Sequence, residues 1–529
     1  MRPRSEPKTY DTTMNAVDSP ALLKACEHAA ATVYAVDTKT QLQPFELLSS
    51  ATGGDDATIY LKREDLSKVR SYKWRGAYNK LTNCVESDDR GPFVTTSAGN
   101  HAQGVAVAAA RLEVPVTVFM PRSTPELKQR AVRQHGGHFV EIRLVGDSFE
   151  QASTAAHQFA SETNATILSP FDDFHVIAGQ STVCHELVAQ FDEMNVRPDV
   201  VFVPVGGGGL ASGVSFLMQQ RMPNVRVIGV EVEGQESMWK SFNENKRVSM
   251  NDVDPFCDGT AVATPGAMTW EICRECLDGE IVKVSNAKVC GAIQQLWEGL
   301  RVVPEPSGAI ALAGLIEATK SGRVNPAAEV CTAIVSGGNV DFRTLPRIVQ
   351  SSRLVDTTRH FFQFEIDERS GSLIELLDQF MEDINIIDFR YGKTGSKSAS
   401  PILGLQIRPD ELEPFVAGLR DAGQKFREVT EHLVTMYRVI PFQPELASNP
   451  CFMRIDFPDR PGALRELMRE ASSITSICYF NFVDTGEAEG HALIGFEFSE
   501  AENKDQLLQV LDTRDFGYAE LDVSSLLGM

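Results

Sequence analysis

Four consecutive glycines, Gly206–Gly209, are the strongest chemical signal in the sequence. They follow the apolar run VVFVPV (200–205) and precede a helix-like stretch that begins after Leu210. Without Cβ atoms, successive N–H groups can converge on one anion, and a helix N-terminus adds its positive dipole end. The run therefore predicts a phosphate or carboxylate site. It matches neither the G-x-x-x-x-G-K-[ST] pattern of NTPases nor a dinucleotide fingerprint, which disfavours a nicotinamide oxidoreductase.

Two further turns have the same small, polar character. The segment TSAGNHAQG (96–104) follows the strand-like residues 93–95, and SGGN (336–339) follows the strand-like residues 333–335. Ligands of doubly wound sheets gather at the carboxyl ends of strands, so we expect these turns to face one crevice with the glycine run. The loop EPSGA (305–309), which enters a helix, is a further piece.

Lys73 lies in the segment SYKWRGA (71–77). Most lysines are solvated surface charges, so this segment alone carries little information. Lys73 becomes a candidate because of the three turns found elsewhere in the chain.

Short β-branched runs that alternate with helical stretches must position these residues. The strand-like runs are 58–62, 115–120, 200–205, 226–231 and 333–336, and helical stretches include 102–111, 211–219 and 308–320. Such alternation predicts an α/β core with a mostly parallel sheet between about residues 22 and 350.

The composition excludes several functions. The chain has 529 residues and a net charge of −22, and 43% of its residues are hydrophobic, which is typical of a soluble globular protein. An acidic surface repels phosphate backbones and anionic lipid, so we expect neither a nucleic-acid partner nor a membrane.

The ten scattered cysteines are expected to be reduced thiols. No metal-ligand spacing singles out residues, and His185 and Glu186 are predicted to be ordinary helix residues.

The C-terminal part contains an internal repeat with an offset of 91 residues. Arg369, Gly371, Phe389 and Gly404 correspond to Arg460, Gly462, Phe480 and Gly495. Four matches at one offset indicate a tandem duplication of a unit that reads strand, Gly-turn, helix, strand, hairpin loop and strand. The Pro-rich residues 441–450 are predicted to be a linker.

Together these motifs resemble the fold-type-II pyridoxal-phosphate enzymes, and within them the biosynthetic threonine dehydratases. The resemblance covers residues 25–350, and the repeated units resemble the ACT-like regulatory pair of that family. It implies an α/β catalytic domain of two subdomains followed by two α+β units. The expected bounds are a flexible leader at 1–21, a catalytic domain at 22–355, and regulatory units at 360–440 and 450–529.

The resemblance also implies a role for each site residue. Lys73 would carry the cofactor pyridoxal 5'-phosphate covalently and act as the base. Asn100 would bind the ring oxygen, and Ser336 the pyridine nitrogen. Gly206, Gly207, Gly208, Gly209 and Leu210 would supply N–H donors to the phosphate. Ser97 and its neighbouring amides would hold the substrate carboxylate.

The implied reaction converts L-threonine to 2-oxobutanoate and ammonia at the entry to isoleucine synthesis, with L-serine as a secondary substrate. A neutral serine at 336 favours elimination over transamination. Alanine at 98, where serine racemases of this fold have a second serine, disfavours racemisation. Three alternatives stay open: a β-replacement enzyme such as a cysteine or cystathionine synthase, a catalytically silent amino-acid sensor, and a nicotinamide oxidoreductase.

The regulatory resemblance implies that isoleucine is a feedback inhibitor and that valine is its antagonist. It also implies a homotetramer or a homodimer. The alternative is that the repeated units form an inert dimerisation domain. The expected compartment is the cytoplasm. The mitochondrial matrix and the plastid stroma are alternatives, because the first twenty residues carry three basic side chains but also three acids.

Overall fold

The computed structural model describes the chain at residues 20–46, 59–279, 281–352, 359–367, 375–376, 379–381, 384–390, 398–430, 432–436, 450–458, 471, 474–482, 489–498, 501–514 and 516–522. It divides into two compact units, Met1–Asp341 and Phe342–Met529. The predicted leader lies outside the described residues as far as residue 19, and helix α1 begins at Pro20. The predicted linker lies outside them as far as residue 449.

The first unit alternates strands and helices as the sequence predicts. Its strands are β1 (Leu42–Phe45), β2 (Ile59–Arg63), β3 (Phe93–Thr96), β4 (Val116–Met120), β5 (Val140–Leu144), β6 (Thr166–Ile167), β7 (Val200–Pro204), β8 (Arg226–Val232), β9 (Val282–Val284) and β10 (Cys331–Val335). Its helices are α1 (Pro20–Tyr34), α2 (Lys73–Glu86), α3 (Asn100–Leu112), α4 (Glu126–Gly136), α5 (Phe149–Thr163), α6 (Phe174–Gln180), α7 (Thr182–Met194), α8 (Gly209–Arg221), α9 (Ser237–Glu244), α10 (Ala267–Cys276), α11 (Asn286–Leu300) and α12 (Pro306–Lys320). Short 3₁₀ turns span Glu64–Leu66 and Gly137–Phe139.

Two sheets organise this unit, in agreement with the prediction of two α/β subdomains. The larger has the order β1-β2-β10-β7-β8-β9, and all neighbours are parallel except β1 and β2. The smaller, β5-β4-β3-β6, is entirely parallel. The central strands β7 and β10 are buried along their whole length, because helices cover both faces of such a sheet.

A buried group of charged side chains, which we call the framework cluster, joins β2, α2 and α7. It consists of Lys62, Glu64, Arg75 and Glu186, each with at most 1% of its side chain exposed. Arg75 donates to Glu64 at 2.8 Å and to Glu186 at 2.6 Å, and Lys62 donates to Glu186 at 2.5 Å. Glu186 is a helix residue, as predicted, and in addition it accepts hydrogen bonds from both cations of this cluster.

The second unit contains four helices, α13 (Leu345–Ser352), α14 (Pro409–Asp421), α15 (Leu433–Met436) and α16 (Ala501–Thr513), and a 3₁₀ turn at Phe342–Thr344, within its described residues. Its strands are β11 (Arg359–Phe364), β12 (Ile366–Asp367), β13 (Asn385–Arg390), β14 (Ser398–Ala399), β15 (Ile402–Gln406), β16 (Phe426–Glu428), β17 (Pro450–Pro458), β18 (Ser476–Phe482), β19 (Glu489–Glu497) and β20 (Gly517–Glu520).

Strands β12 and β14 form a two-stranded sheet, and the two four-stranded sheets of the second unit repeat each other. One has the order β13-β15-β11-β16 and the other β18-β19-β17-β20. The register repeats at the predicted offset, because Phe389 pairs with Leu403 and Phe480 with Ile494. The irregularity in β13 at 386–388 recurs in β18 at 477–479. Strand pairing thus supports the duplication. Four of the residues used to detect it, Arg369, Gly371, Arg460 and Gly462, lie outside the described residues.

No helix in the ranges given above is long and apolar enough to cross a bilayer.

Candidate active site

The glycine run lies between β7 and α8, at the carboxyl edge of the larger sheet. Gly208 has φ +94°, a conformation that favours glycine, and α8 begins at the next residue. The amide of Ser212 bonds back to the Gly208 carbonyl at 2.8 Å. The amides of Gly209 and Leu210 precede that bond and have no carbonyl within the helix, so they are available to an anion.

The structure shows a second reason for glycine in this run. A Cβ added at Gly207 would lie 2.4 Å from the ring of Phe171, and one at Gly206 would lie 2.7 Å from the carbonyl oxygen of Thr260. Glycine is therefore needed at these positions for two reasons: a side chain would clash with neighbouring residues, and it would hinder the approach of an anion to the backbone amides. This packing could not be anticipated, because Phe171 belongs to the loop between β6 and α6.

Lys73 and the glycine run line the same cavity. The lining also includes Leu210, Tyr72, Gly259 and Thr260. Lys73 is the first residue of α2, and its Nζ donates to the Gly259 carbonyl at 3.1 Å. The sequence predicts that Lys73 and the glycine run lie in one cleft, and the structure has both in the lining of this cavity.

Ser336 directly follows β10, the neighbour of β7. Its carbonyl accepts from the amide of Tyr72 at 3.2 Å, and its hydroxyl donates to the Ser307 carbonyl at 3.2 Å. A bridge also joins Ser71 to Gly337. The SGGN turn is therefore tied through its backbone to the residues that precede Lys73.

Asn100 begins α3 and bonds to two of the other motifs. Its Nδ2 donates to Glu305 Oε1 at 2.5 Å, and its Oδ1 accepts from Asn339 Nδ2 at 2.8 Å. Helix α3 approaches Lys73 closely, because a Cβ at Gly104 would lie 2.8 Å from the Cα of Trp74. The motifs SAGN, EPSGA and SGGN thus meet, as expected.

Ser97 has local hydrogen bonds in the structure. Its hydroxyl accepts from the amides of Gly99 and Ala102 at 3.2 and 3.3 Å, which holds the turn into α3. A Cβ at Gly99 would meet no atom within 4 Å, so open space lies beside this turn. Within the described part of the chain, the hydrogen bonds of Ser97 go to Gly99, Ala102 and Phe119 rather than to Lys73 or the glycine run.

Sequence reasoning missed three charged residues near Lys73, namely Lys128, Asp258 and Glu305, which with Lys73 we call the cavity cluster. Lys128 Nζ contacts Asp258 Oδ2 at 2.5 Å. Glu305 was visible as the acid of the EPSGA motif but received no role. Lys128 and Asp258 have no local signal, since they lie 130 residues apart.

Electrostatics within the cavity cluster follow from burial. Burial lowers the pKa of Lys73, although the nearby carboxylates of Glu305 and Asp258 oppose that change. Burial and the charge of Asp258 raise the pKa of Glu305 to about 7. A lowered pKa leaves more of the Lys73 amine neutral at physiological pH, which is the form that can accept a proton.

Comparisons with known proteins agree with this geometry. A family model described as pyridoxal-phosphate dependent enzyme matches residues 33–337, and one described as the C-terminal regulatory domain of threonine dehydratase matches residues 446–527.

Full-length relatives and a solved structure match as well. The biosynthetic L-threonine dehydratase IlvA of Burkholderia multivorans is 35% identical over 89% of this chain and 92% of its own length. The mitochondrial threonine dehydratase of Schizosaccharomyces pombe is 34% identical over 93% of this chain and 80% of its own. The processed threonine deaminase isoform 2 of Solanum lycopersicum has 37% identity and a TM-score of 0.58 over 64% of this chain and 90% of its own. The chain therefore belongs to the pyridoxal-phosphate-dependent enzymes, and within them to the biosynthetic threonine dehydratase family.

Proposed function

We propose that this protein converts L-threonine to 2-oxobutanoate and ammonia, with L-serine as a secondary substrate. The observation that carries the proposal is the cavity shared by the Lys73 amine and the glycine run. The named relatives support the same reaction.

The residues around this cavity fit pyridoxal phosphate. The free amides of Gly209 and Leu210 suit a phosphate, and Lys73 supplies an amine. Ser307 Oγ, buried beside Gly259, has no protein partner within the described part of the chain, as a hydroxyl reserved for a ligand would. When bound, the cofactor serves as an electron sink for the substrate Cα.

Each predicted site residue then has a task. Gly206, Gly207, Gly208, Gly209 and Leu210 would hold the phosphate. Asn100 would donate to the ring oxygen, and Ser336 would contact the ring nitrogen as a neutral partner. The amides of the Ser97 turn would hold the substrate carboxylate, where Gly99 leaves open space.

Lys73 would accept the Cα proton of the substrate as a neutral amine. Loss of that proton and of the β-hydroxyl as water gives an enamine, which tautomerises and hydrolyses to the 2-oxo acid and ammonia. The water released in the first stage is consumed in the last, so the net products are 2-oxobutanoate and ammonia.

The deciding experiment measures ammonia and 2-oxobutanoate from threonine and from serine. The same enzyme is then given O-acetylserine with sulfide, and serine with homocysteine. Ammonia release without thioether or cysteine formation supports a dehydratase. Efficient formation of cysteine or cystathionine would instead support the β-replacement alternative.

A matched pair of glycine variants tests the proposed phosphate cradle, by which we mean the backbone amides of residues 206–210. Gly207→Ala is expected to weaken cofactor binding at least about tenfold, because its Cβ would lie 2.4 Å from the Phe171 ring and displace the cradle. Gly99→Ala is the control for cofactor affinity, because a Cβ there meets no atom within 4 Å. Fluorescence titration of the apoenzyme measures both, and equal affinities would contradict the assigned cradle.

We further propose that isoleucine inhibits the enzyme through the second unit, and that valine antagonises it. The support is the regulatory-domain match at residues 446–527 and the duplicated sheets. Allosteric couplings are typically 1–3 kcal/mol, so we expect isoleucine to raise the threonine concentration for half-maximal rate about 5–150-fold. Unchanged saturation curves, with isoleucine bound or absent, would favour an inert dimerisation domain.

The remaining assignments are proposals of the same kind. They are a homotetramer or homodimer, which sedimentation can test, and a cytoplasmic location with the mitochondrial matrix or plastid stroma as the alternative. The predicted bounds at 22–355, 360–440 and 450–529 can be tested by limited proteolysis.

A further inference from the structure

Glu305 is a buried carboxyl group in the loop that enters α12. It is 5% exposed, and its Oε1 accepts from Asn100 Nδ2 at 2.5 Å. The site makes room for it with a glycine, because a Cβ at Gly337 would lie 2.0 Å from this oxygen. Burying a carboxyl group beside neutral groups is costly, so a role at the site would account for it.

The side-chain amide of Asn100 is held from both ends. Glu305, when ionised, can only accept hydrogen bonds, so it selects the Nδ2 end of the amide. Asn339 Nδ2 donates one hydrogen to Asn100 Oδ1 at 2.8 Å and the other to the Val69 carbonyl at 2.7 Å. If the Asn100 amide were rotated by 180°, its NH₂ group would face the donor Asn339 Nδ2, and its oxygen would face the acceptor Glu305 Oε1. Among the residues that the structure describes, Glu305 takes one Nδ2 hydrogen of Asn100, which leaves the second hydrogen for a further acceptor.

We propose that Glu305 is a positioning residue that fixes the amide orientation of Asn100, so that Nδ2 is presented as a donor to the cofactor's ring oxygen. This inference rests on the proposed function. Glu305 acts through Asn100 and is not itself assigned to the reacting atoms.

The ionisable groups around Glu305 come from several elements. Lys73 and Tyr72 lie at the start of α2, Asp258 lies in the loop before α10, and Lys128 lies on α4. Burial and Asp258 raise the pKa of Glu305 to about 7, whereas Asn100, Lys73 and Lys128 favour its ionised form. A change in the charge of Glu305 should therefore shift the pKa of an ionisable group next to it.

The test is a double-mutant cycle between Glu305→Gln and Asn100→Ala. Its readouts are the apoenzyme's affinity for pyridoxal phosphate and the pH midpoint of the visible absorption spectrum of the loaded enzyme. Above pH 7, where Glu305 is ionised and can only accept, glutamine can offer a donor instead. At pH 8, E305Q alone should therefore weaken cofactor affinity about tenfold, and it should shift the spectral midpoint. In the N100A background, the same substitution should change affinity less than about twofold.

Two controls keep the result specific. Glu305→Asp retains the charge and should recover part of the affinity. Glu231→Gln removes another buried carboxyl, one that accepts from the backbone amides of Met238 and Trp239, and it should leave the spectral midpoint unchanged.

Equal effects of E305Q with and without Asn100, or a wild-type spectrum in E305Q, would overturn the positioning role. Failure of the proposed function is a separate result, because the wild-type enzyme would then lack the cofactor band or release no ammonia from threonine.

Discussion

The framework cluster and the cavity cluster each hold two cationic and two acidic side chains, yet they use these charges differently. In the framework cluster each ion contacts an opposite charge, with Arg75 bridging Glu64 and Glu186. In the cavity cluster Lys73 donates to a backbone carbonyl and Glu305 accepts from an amide, so both charges bond to neutral groups. Burial and neighbouring charges shift pKa values in both clusters. The difference is that the ion pairs of the first cluster stabilise the fold, whereas in the second Lys128 pairs with Asp258 and the hydrogen bonds of Lys73 and Glu305 go to neutral groups, which leaves these two side chains able to react.

Helix α2 connects the two clusters. Lys73 and Arg75 lie two residues apart in its first turn, and side chains at that spacing point in different directions. The framework cluster therefore anchors the turn that presents the Lys73 amine to the cavity. Stability and reactivity are assigned to neighbouring residues of one helix.

The largest expected effect separates Lys73 from Lys62, two lysines whose pKa values burial lowers. Lys73→Met should lower turnover at least about 1000-fold and remove the absorption band of the lysine-bound cofactor, because the proposed base is lost. Lys62→Met is the matched control, since burial also lowers the pKa of Lys62 but its amine contacts Glu186. It should destabilise the protein and keep the band. Turnover by K73M, or loss of the band in folded K62M, would break the distinction.

Arg75→Leu should have the largest effect on stability. It leaves Glu64 and Glu186 buried with Lys62 as the remaining cation of the cluster, and breaking such a pair costs about 3–5 kcal/mol. Urea unfolding of the apoenzyme measures the loss. An unchanged unfolding midpoint would mean that the framework cluster does not stabilise the fold.

The pH dependence of stability should have opposite signs for the two acids. The folded-state pKa of Glu305 is raised to about 7, so its contribution is complete below about 4.5 and is lost as pH rises through 7. Burial acts to raise the pKa of Glu186, but Arg75 and Lys62 lower it overall, so its contribution is present above 4.5 and is lost in acid.

Unfolding free energies at pH 5 to 8 test this contrast. Glu305→Gln should flatten the decline of stability towards pH 8, while Glu186→Gln should destabilise the protein throughout the range. Identical pH profiles for both variants would contradict the difference between the clusters.

The smallest effect is expected for the pair Lys128–Asp258. The two side chains are 28% and 50% exposed, so solvent screens their attraction, and Lys128→Met should cost less than about 1 kcal/mol. Moderate salt should reduce the difference further. A loss as large as that of Arg75→Leu would mean that this pair belongs functionally with the framework cluster.

Much of the fold and site could be predicted from the order of residues. The glycine run, Lys73, Asn100 and Ser336 were identified because strand ends and helix starts have local patterns. The duplication was identified by its offset, and the register of Gly404 and Gly495 confirms it. The roles of the individual site residues stay predictions.

Local pattern determines what a segment can do, and in this protein it specified the strands, the helices, the bare amides of Gly206–Gly209 and the family. Only the tertiary structure decided which charges meet. Glu305 lies 205 residues from Asn100, and Glu186 lies 111 residues from Arg75. Burial and distance set the pKa of an ionisable group, and neither is encoded in the neighbouring residues of the chain. That is why one acid on α7 stabilises the framework while another before α12 lies beside the cavity.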